Sequence, residues 1–302
     1  MGDLDPYPGN NTPPLTTPLI VKSRHTWAMN EPIPCTVAML TFNSSATLPK
    51  ALQSIEGFAE LVVADGGSTD GTREIVERFG GRVVDQPRAS QDSSGRLVNY
   101  GVARDHLRRF ATQLWLLQLD SDEYLTAELV DDLRGVCVSD ESGPNNFTIQ
   151  ARYEVDEEIV DCATNYPMSH LRLYRVSACA GYRGVTDEEP CVTGPQGQLT
   201  SWFVIPYPKL RLLLRKYLRY LRLDQLDCAA LDAAGLKQMS AFRKSSIRWF
   251  LRDFRRKRSG GCRNALPLHL ELIRLGFYCG RYVVTVIEIG RRSLVPKDPR
   301  PS

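Results

Sequence analysis

The sequence predicts an α/β protein: a mostly parallel, Rossmann-like sheet flanked by helices, followed by a basic helical extension. Three observations point there. From residue 34, short and almost wholly apolar runs alternate with amphipathic stretches, the pattern of strands buried on both faces and linked by helices. The least expected polar residues stand at the carboxyl ends of those runs, where open α/β sheets bind ligands. Beyond residue 205, charge and periodicity change together.

The elements follow in order. CTVAML (35–40) reads as a first buried strand and LPKALQSIEGF (48–58) as a helix closing near Gly57. AELVVAD (59–65) is a second strand, followed by a glycine-rich turn and a helix from about Thr72 to Phe79. RVVD (82–85) is a short third strand. After a polar loop, a helix is expected from Gly95 to Thr112, then LWLLQLD (114–120) as the fourth strand. FTIQARYEV (147–155) and HLRLYRVS (170–177) carry one polar face each and read as antiparallel strands; 178–208 reads as loop. Thereafter Leu210, Leu213, Leu214, Tyr217, Leu218 and Leu221 recur at helical spacing, as do Ile247, Phe250, Leu251 and Phe254.

Composition sets the outer bounds. At 302 residues, with 42% hydrophobic and 24% charged residues, the chain has enough apolar material for a globular core, which excludes a disordered or fibrous protein. The net charge of +3 conceals a division. Residues 1–205 hold 16 Lys and Arg against 28 Asp and Glu, a balance of −12, whereas 206–302 hold 22 against 7, a balance of +15. The reading is a Pro-rich tail over 1–33, a catalytic domain over 34–205 and a basic helical extension over 206–302 that meets something anionic or packs on the rest of the chain.

The N-terminus lacks the basic and apolar regions of a secretory signal, and Pro6 stands where a myristoylation motif needs Ser or Thr. Eight scattered cysteines without a C-x-x-C pair read as reduced thiols of a cytoplasmic protein, and argue against a zinc site. The segment 266–289 has the length of a membrane span, but His269, Glu271, Arg274, Arg281 and Glu288 argue against one. None of the four histidines pairs with another at metal-ligand spacing.

Two motifs carry chemistry. Asp120, Ser121, Asp122 and Glu123 close the fourth strand. Three carboxylates so close together repel one another and resist burial, and a divalent cation resolves the conflict; oxygen ligands suit Mg²⁺ or Mn²⁺. An acidic turn capping the next helix is the plainer alternative. The stretch D-G-G-S-T-D-G-T (65–72) is either a tight turn or a turn whose glycines admit a ligand while Asp65 accepts hydrogen bonds from a base or ribose. It is neither a P-loop nor a dinucleotide fingerprint.

TVAMLTFNSSATLPKALQSI, LVVADGGSTDGT and LWLLQLDSDEYL, in that order and spacing, resemble the family 2 glycosyltransferases of the GT-A fold. The R-L-Y-R strand, the G-V-T-D-E loop and the basic tail resemble more weakly the branch that adds sugars to the lipopolysaccharide inner core. The resemblance implies a nucleotide-sugar donor, UDP-linked by preference, with Thr41, Asn43, Asp65, Arg96, Asn99 and Asp120 around it and Asp122 on a Mn²⁺ or Mg²⁺ ion. It implies an inverting displacement, with Glu188 as the base and Asp187, standing where His is usual, in reserve. The family commonly has an acid where Ser44 and Ser45 stand. A glycan or glycolipid acceptor follows. The arginine-flanked helices, with Leu, Trp249 and Phe250 on their apolar side, suit either an interfacial position or packing on the catalytic domain, so the expected location is the cytoplasm or, peripherally, the cytoplasmic face of a membrane.

Three rival readings make different demands. A nucleic-acid binder would use the +15 half but leaves the acidic cluster unexplained, so no nucleic acid is expected as a partner. A non-catalytic nucleotide- or glycan-binding relative would have no use for Glu188. A nucleotidyltransferase would need a basic glycine-rich loop after the first strand, where TFNSSATLPK stands.

Overall fold

A computed structural model describes residues 31–139 and 143–294. The Pro-rich tail expected over 1–33 falls outside the described residues except for its last three. The chain forms two compact units. One extends to Ile159 and resumes over Pro167–Tyr207; the other combines Val160–Tyr166 with the chain from Pro208 onwards.

The first unit is built on one large sheet. Its elements are β1 (Ile33–Thr41), α1 (Leu48–Gln53), β2 (Phe58–Asp65), α2 (Thr72–Arg78), β3 (Arg82–Asp85), α3 (Tyr100–Arg108), β4 (Trp115–Gln118), β5 (Tyr124–Leu125) and α4 (Ala127–Val138). Then come β6 (Asn146–Val155), β7 (Glu158–Ile159), β8 (Met168–Arg175), β9 (Cys179–Arg183), β10 (Glu189–Val192) and β11 (Gln196–Pro206). The strand order is β3-β2-β1-β4-β8-β6-β11-β5, with β7 alongside β6, while β9 and β10 form a separate hairpin. The first four strands are mutually parallel; β8 is antiparallel to both β4 and β6.

The parallel half is apolar on both faces because each face covers a core. Val37, Met39, Val63 and Leu117 point into one core with Leu48, Val76 and Leu129 of the helices. Their chain neighbours Ala38, Leu40, Val62 and Leu116 point into another, with Ala103 and Leu107 of α3. This period of two turns an unbroken apolar run into a strand that serves both layers. Register then aligns the strand ends: Thr41 pairs with Asp65, and Asp65 with Asp85. One edge of the sheet thereby collects the polar residues that terminate β1, β2 and β3.

Three expectations need correction. The helix expected over 48–58 ends at Gln53. That expected over 95–112 begins at Tyr100, because Asn99 takes an extended backbone and its side chain accepts a hydrogen bond from Val102 N at 3.0 Å, capping the helix there. The stretch 178–208 contains three strands. In β11 the inward residues Gly197, Leu199, Ser201 and Phe203 do alternate with more exposed ones, but glycine and serine among them hide the apolar period.

The second unit holds α5 (Leu210–Ala230), α6 (Ala233–Ser259) and α7 (Leu268–Leu294). Asp232 caps α6 by accepting from Gly235 N at 2.7 Å. Buried polar side chains bind the helices together. Asp224 of α5 takes Arg243 of α6 at 3.0 Å and Arg281 of α7 at 2.8 Å, and Arg243 also donates to Thr285 at 2.8 Å. Glu271 accepts from Thr164 N at 2.7 Å and pairs with Arg274 at 3.2 Å. No helix among the described residues is long and apolar enough to cross a membrane.

Cys162 and Cys262 form a disulfide, so the reading of all eight cysteines as reduced thiols is corrected for this pair. A separation of 100 residues leaves no local spacing signature. The fold of this unit brings Val160–Tyr166 to the end of α6, where Lys257 donates to Ala163 O at 2.9 Å.

Candidate active site

The site begins at the aligned strand ends. Asp65 is buried, and its carboxylate accepts from Thr41 Oγ1 (2.9 Å), Gly67 N (2.9 Å), Ser68 N (2.8 Å) and Ser68 Oγ (2.5 Å). Gly67 sits at φ 89°, a conformation that costs glycine nothing and would strain a side chain. Arg73 lies 3.5 Å from the same carboxylate. Asp65 thus organises the turn that follows it.

A second set of bonds ties that turn to the loop after β1. Asn43, at φ 51°, donates its backbone N–H to Ser68 Oγ (2.8 Å) and accepts from Thr69 N (2.9 Å) through its side chain. Ser44 N donates to Thr72 Oγ1 and Ser45 N to Asp70. Gln86, buried beneath, donates to the carbonyls of Thr41 and Ala64. Ser121 Oγ donates to Ser44 Oγ at 3.0 Å, which links the acidic loop after β4 to the same construction.

In the acidic loop, Glu123 is buried. It accepts from Asp120 N at 3.1 Å and from Arg172 of β8 at 2.9 Å. Burial pushes its carboxyl up, and Arg172 opposes that rise. Asp120 remains partly exposed. Arg104, buried in α3, donates to it, and Arg172 lies 3.8 Å away. Arg104 also donates through Nε to Glu188 Oε1 at 3.3 Å. One guanidinium therefore joins the end of β4 to the 184–188 loop.

Local backbone fixes that loop. Gly184 is at φ 87°, and a Cβ on Gly101 would stand 2.3 Å from Gly184 O, so the first turn of α3 lies directly against the loop. Tyr100 N donates to Val185 O at 2.8 Å. Glu188 is largely buried, and burial raises its carboxyl, with Asp120 adding to the rise and Arg104 opposing it. Asp187 is exposed. Beside the cluster, His170 is half-buried and driven down to about 3 by loss of solvent and by the nearby Arg172 charge.

Of the residues singled out from sequence, Thr41, Asn43 and Asp65 stand together in the two joined loops, and Asp120 and Glu188 share Arg104. Asp122 is half-buried in the acidic loop. Asn99 caps α3, and Arg96 is exposed in a turn where its backbone N–H donates to Asp92. Sequence reasoning missed Arg104 and assigned no role to Arg172. The one signal was a basic residue inside the R-L-Y-R strand, whose neighbour Leu173 is fully buried.

Among the described residues no three His, Cys, Asp or Glu side chains converge on a metal position. Asp120 and Asp122 offer oxygen donors only. Such a pair fits Mg²⁺ or Mn²⁺ of the kind that takes one or two carboxylates and fills its shell with substrate phosphate and water.

The family described as glycosyl transferase family 2 matches residues 36–180. Glycosyltransferase AglJ of Haloferax volcanii is 39% identical over 95 residues, which are 30% of this chain and 29% of AglJ. The lipopolysaccharide core biosynthesis glycosyltransferase LpsC of Rhizobium meliloti is 29% identical over 97 residues, 32% of this chain and 34% of LpsC. The chain thus spans about a third of the length of these curated relatives. The solved structure of S. aureus TarS 1-349 in complex with UDP-GlcNAc aligns over 86% of this chain and 91% of its own, at 13% identity and a TM-score of 0.43. The matched segment starts in β1 and runs past the Asp120 loop to β9, taking in Arg104 and Arg172. Through residues 36–180, just under half of its length, the chain is similar to glycosyl transferase family 2.

Proposed function

We propose that the chain is an inverting glycosyltransferase, moving a sugar from a nucleoside-diphosphate sugar, UDP-linked by preference, to a hydroxyl of a glycan or glycolipid. The observation that carries this reading is the Arg104 bridge, which sets a raised, largely buried carboxylate at Glu188 beside the acidic loop at the end of β4.

The donor's nucleotide lies over the joined loops of Thr41, Asn43 and Asp65, with Arg96, Asn99 and Asp120 completing its surroundings. Asp122 holds the divalent ion, since Asp120 is already engaged by two arginines. When bound, that ion supplies a Lewis acid for charge gathering on the diphosphate. The acceptor oxygen attacks the anomeric carbon from the face opposite the diphosphate, the carbon–oxygen bond to phosphate breaks, and the acceptor proton passes to a Glu188 carboxylate oxygen. Burial raises the Glu188 carboxylate above its ordinary range, which makes it a stronger proton acceptor for that transfer. Asp187, one residue earlier and exposed, is the alternative proton acceptor.

Calorimetry of UDP, GDP, CDP and ADP, each with and without Mn²⁺, tests the donor half of this reading. Metal-dependent binding of one of them supports it. No binding by any, to folded protein, removes it.

A further inference from the structure

The helical unit distributes its residues in an unusual way. On α7, Leu268, Leu272, Val283, Val286, Ile287 and Leu294 are 48%, 54%, 50%, 43%, 63% and 85% exposed. Together with the exposed Gly276 and Gly290 they fall within about 100° of arc at 100° per residue, a stripe about 40 Å long. The opposite side of the same helix carries Glu271, Arg274, Arg281 and Thr285, turned inwards against α5, α6 and Val160–Tyr166. Most of the charged groups of this helix lie inside, beside Leu270, while the aliphatic stripe lies outside, the reverse of a helix that faces water.

Neighbouring α5 continues the surface. Leu210, Leu214 and Leu218 are 46%, 44% and 62% exposed, and Arg211, Arg215 and Arg222 stand exposed alongside them. Leu221 touches α7 at Gly280, where a Cβ would meet it at 3.0 Å. The two apolar stripes belong to helices in direct contact.

Charge identifies the occupant. The five carboxylates on the three helices (Asp224, Asp227, Asp253, Glu271 and Glu288) are all buried or half-buried, whereas α5 and α7 themselves expose six cations, Arg211, Arg215, Lys216, Arg219, Arg222 and Arg291. A second copy of so cationic a surface would be repelled, and a nucleic acid would leave the aliphatic stripe in water. An anionic bilayer satisfies both features: acyl chains take the stripe and headgroups take the flanking arginines. With no helix apolar enough to cross a membrane among the described residues, the contact is one of helices lying in the interface.

We infer that α7, with α5 at its side, is the membrane-seating face of this protein, binding anionic lipid through exposed aliphatic residues and flanking arginines. This goes beyond the proposed transfer reaction and does not depend on it.

Co-sedimentation of the full chain with vesicles of phosphatidylcholine, alone or with 30% phosphatidylglycerol, tests the inference, alongside analytical ultracentrifugation without lipid. The comparison variant is Leu272→Glu with Ile287→Glu, two exposed positions whose change leaves the packed interior intact; far-ultraviolet circular dichroism checks its fold. The expected result is a monomer that binds the anionic vesicles, at least tenfold less to phosphatidylcholine alone, with a further loss of at least tenfold in the variant. Absence of binding to anionic vesicles overturns the inference, as does undiminished binding by the folded variant. A concentration-dependent dimer abolished by the same substitutions would assign the face to a second copy and overturn it equally. Nucleoside diphosphate binding, measured on the same samples, reports separately on the donor site.

Discussion

Arg104 of α3 holds Asp120 and Glu188 at once, across sequence separations of 16 and 84 residues, and is itself almost fully buried. A buried cation between two carboxylates is a structural commitment. Removing it leaves like charges facing each other in a partly dry site. Arg104→Ala is expected to lower stability by about 3 kcal/mol, the lower end for a broken buried pair because Asp120 retains some solvent. Urea unfolding measures this; a loss within the ~0.5 kcal/mol usual for a surface substitution would refute the bridge.

The same bridge sets a pH dependence. Burial raises Glu188, Asp120 adds to that, and Arg104 opposes it. A base must be ionised to act, so kcat/KM rises with pH through the Glu188 pKa, and its acid limb should stand above the ~4.3 of an ordinary glutamate. Arg104→Gln removes the opposing charge and should move the limb higher still. A limb that moves to lower pH in this variant would contradict the assignment of Glu188.

Glu188→Gln should reduce kcat by roughly 10²–10⁴-fold, the usual contribution of a positioned general base, while donor binding changes little. Should Asp187→Asn produce the large loss instead, the base lies one residue earlier. Steady-state kinetics with calorimetry of the nucleoside diphosphate separate these outcomes.

Asp122→Ala should remove the metal-dependent part of nucleoside diphosphate binding and leave binding without Mn²⁺ nearly unchanged. Asp120→Asn should weaken metal-dependent binding less. The reverse order would move the ion to Asp120.

His170 is neutral in the fold down to about pH 3, whereas an unfolded histidine takes its proton near pH ~6.5. The unfolded state therefore binds more protons between those values, and stability falls as pH drops through that window, by up to about 1.4 kcal/mol per pH unit. The urea midpoint should decline from pH 7.5 to pH 5. His170→Phe, beside Phe203, should flatten that decline.

Reduction of the Cys162–Cys262 bond, or Cys262→Ser, should destabilise the helical unit by about 2–5 kcal/mol, since the bond closes a long loop of the unfolded chain. Thiol titration of the unreduced, denatured chain should find six of the eight cysteines. Eight would show the bond absent.

Local order determined much of this protein. The apolar runs at 35–40, 59–65, 82–85 and 114–120 became β1 to β4, because a strand buried on both faces needs no partner residue to be recognisable. Their register then brought Thr41, Asp65 and the Asp120 loop to one edge, as the motifs implied. What the tertiary structure alone decided depends on distance through space. Arg104 reads in sequence as one more charge on an amphipathic helix, and only the docking of α3 on the 184–188 loop makes it a bridge. The disulfide joins residues a hundred apart, and β11 hides its period behind small residues. On α7, the sequence marked a long apolar segment interrupted by charges, but not which side of it faces inwards. Periodicity gives the spacing of apolar residues, while the partners across the interface (here Asp224, Arg243 and Thr164) decide whether charge or aliphatic surface is buried.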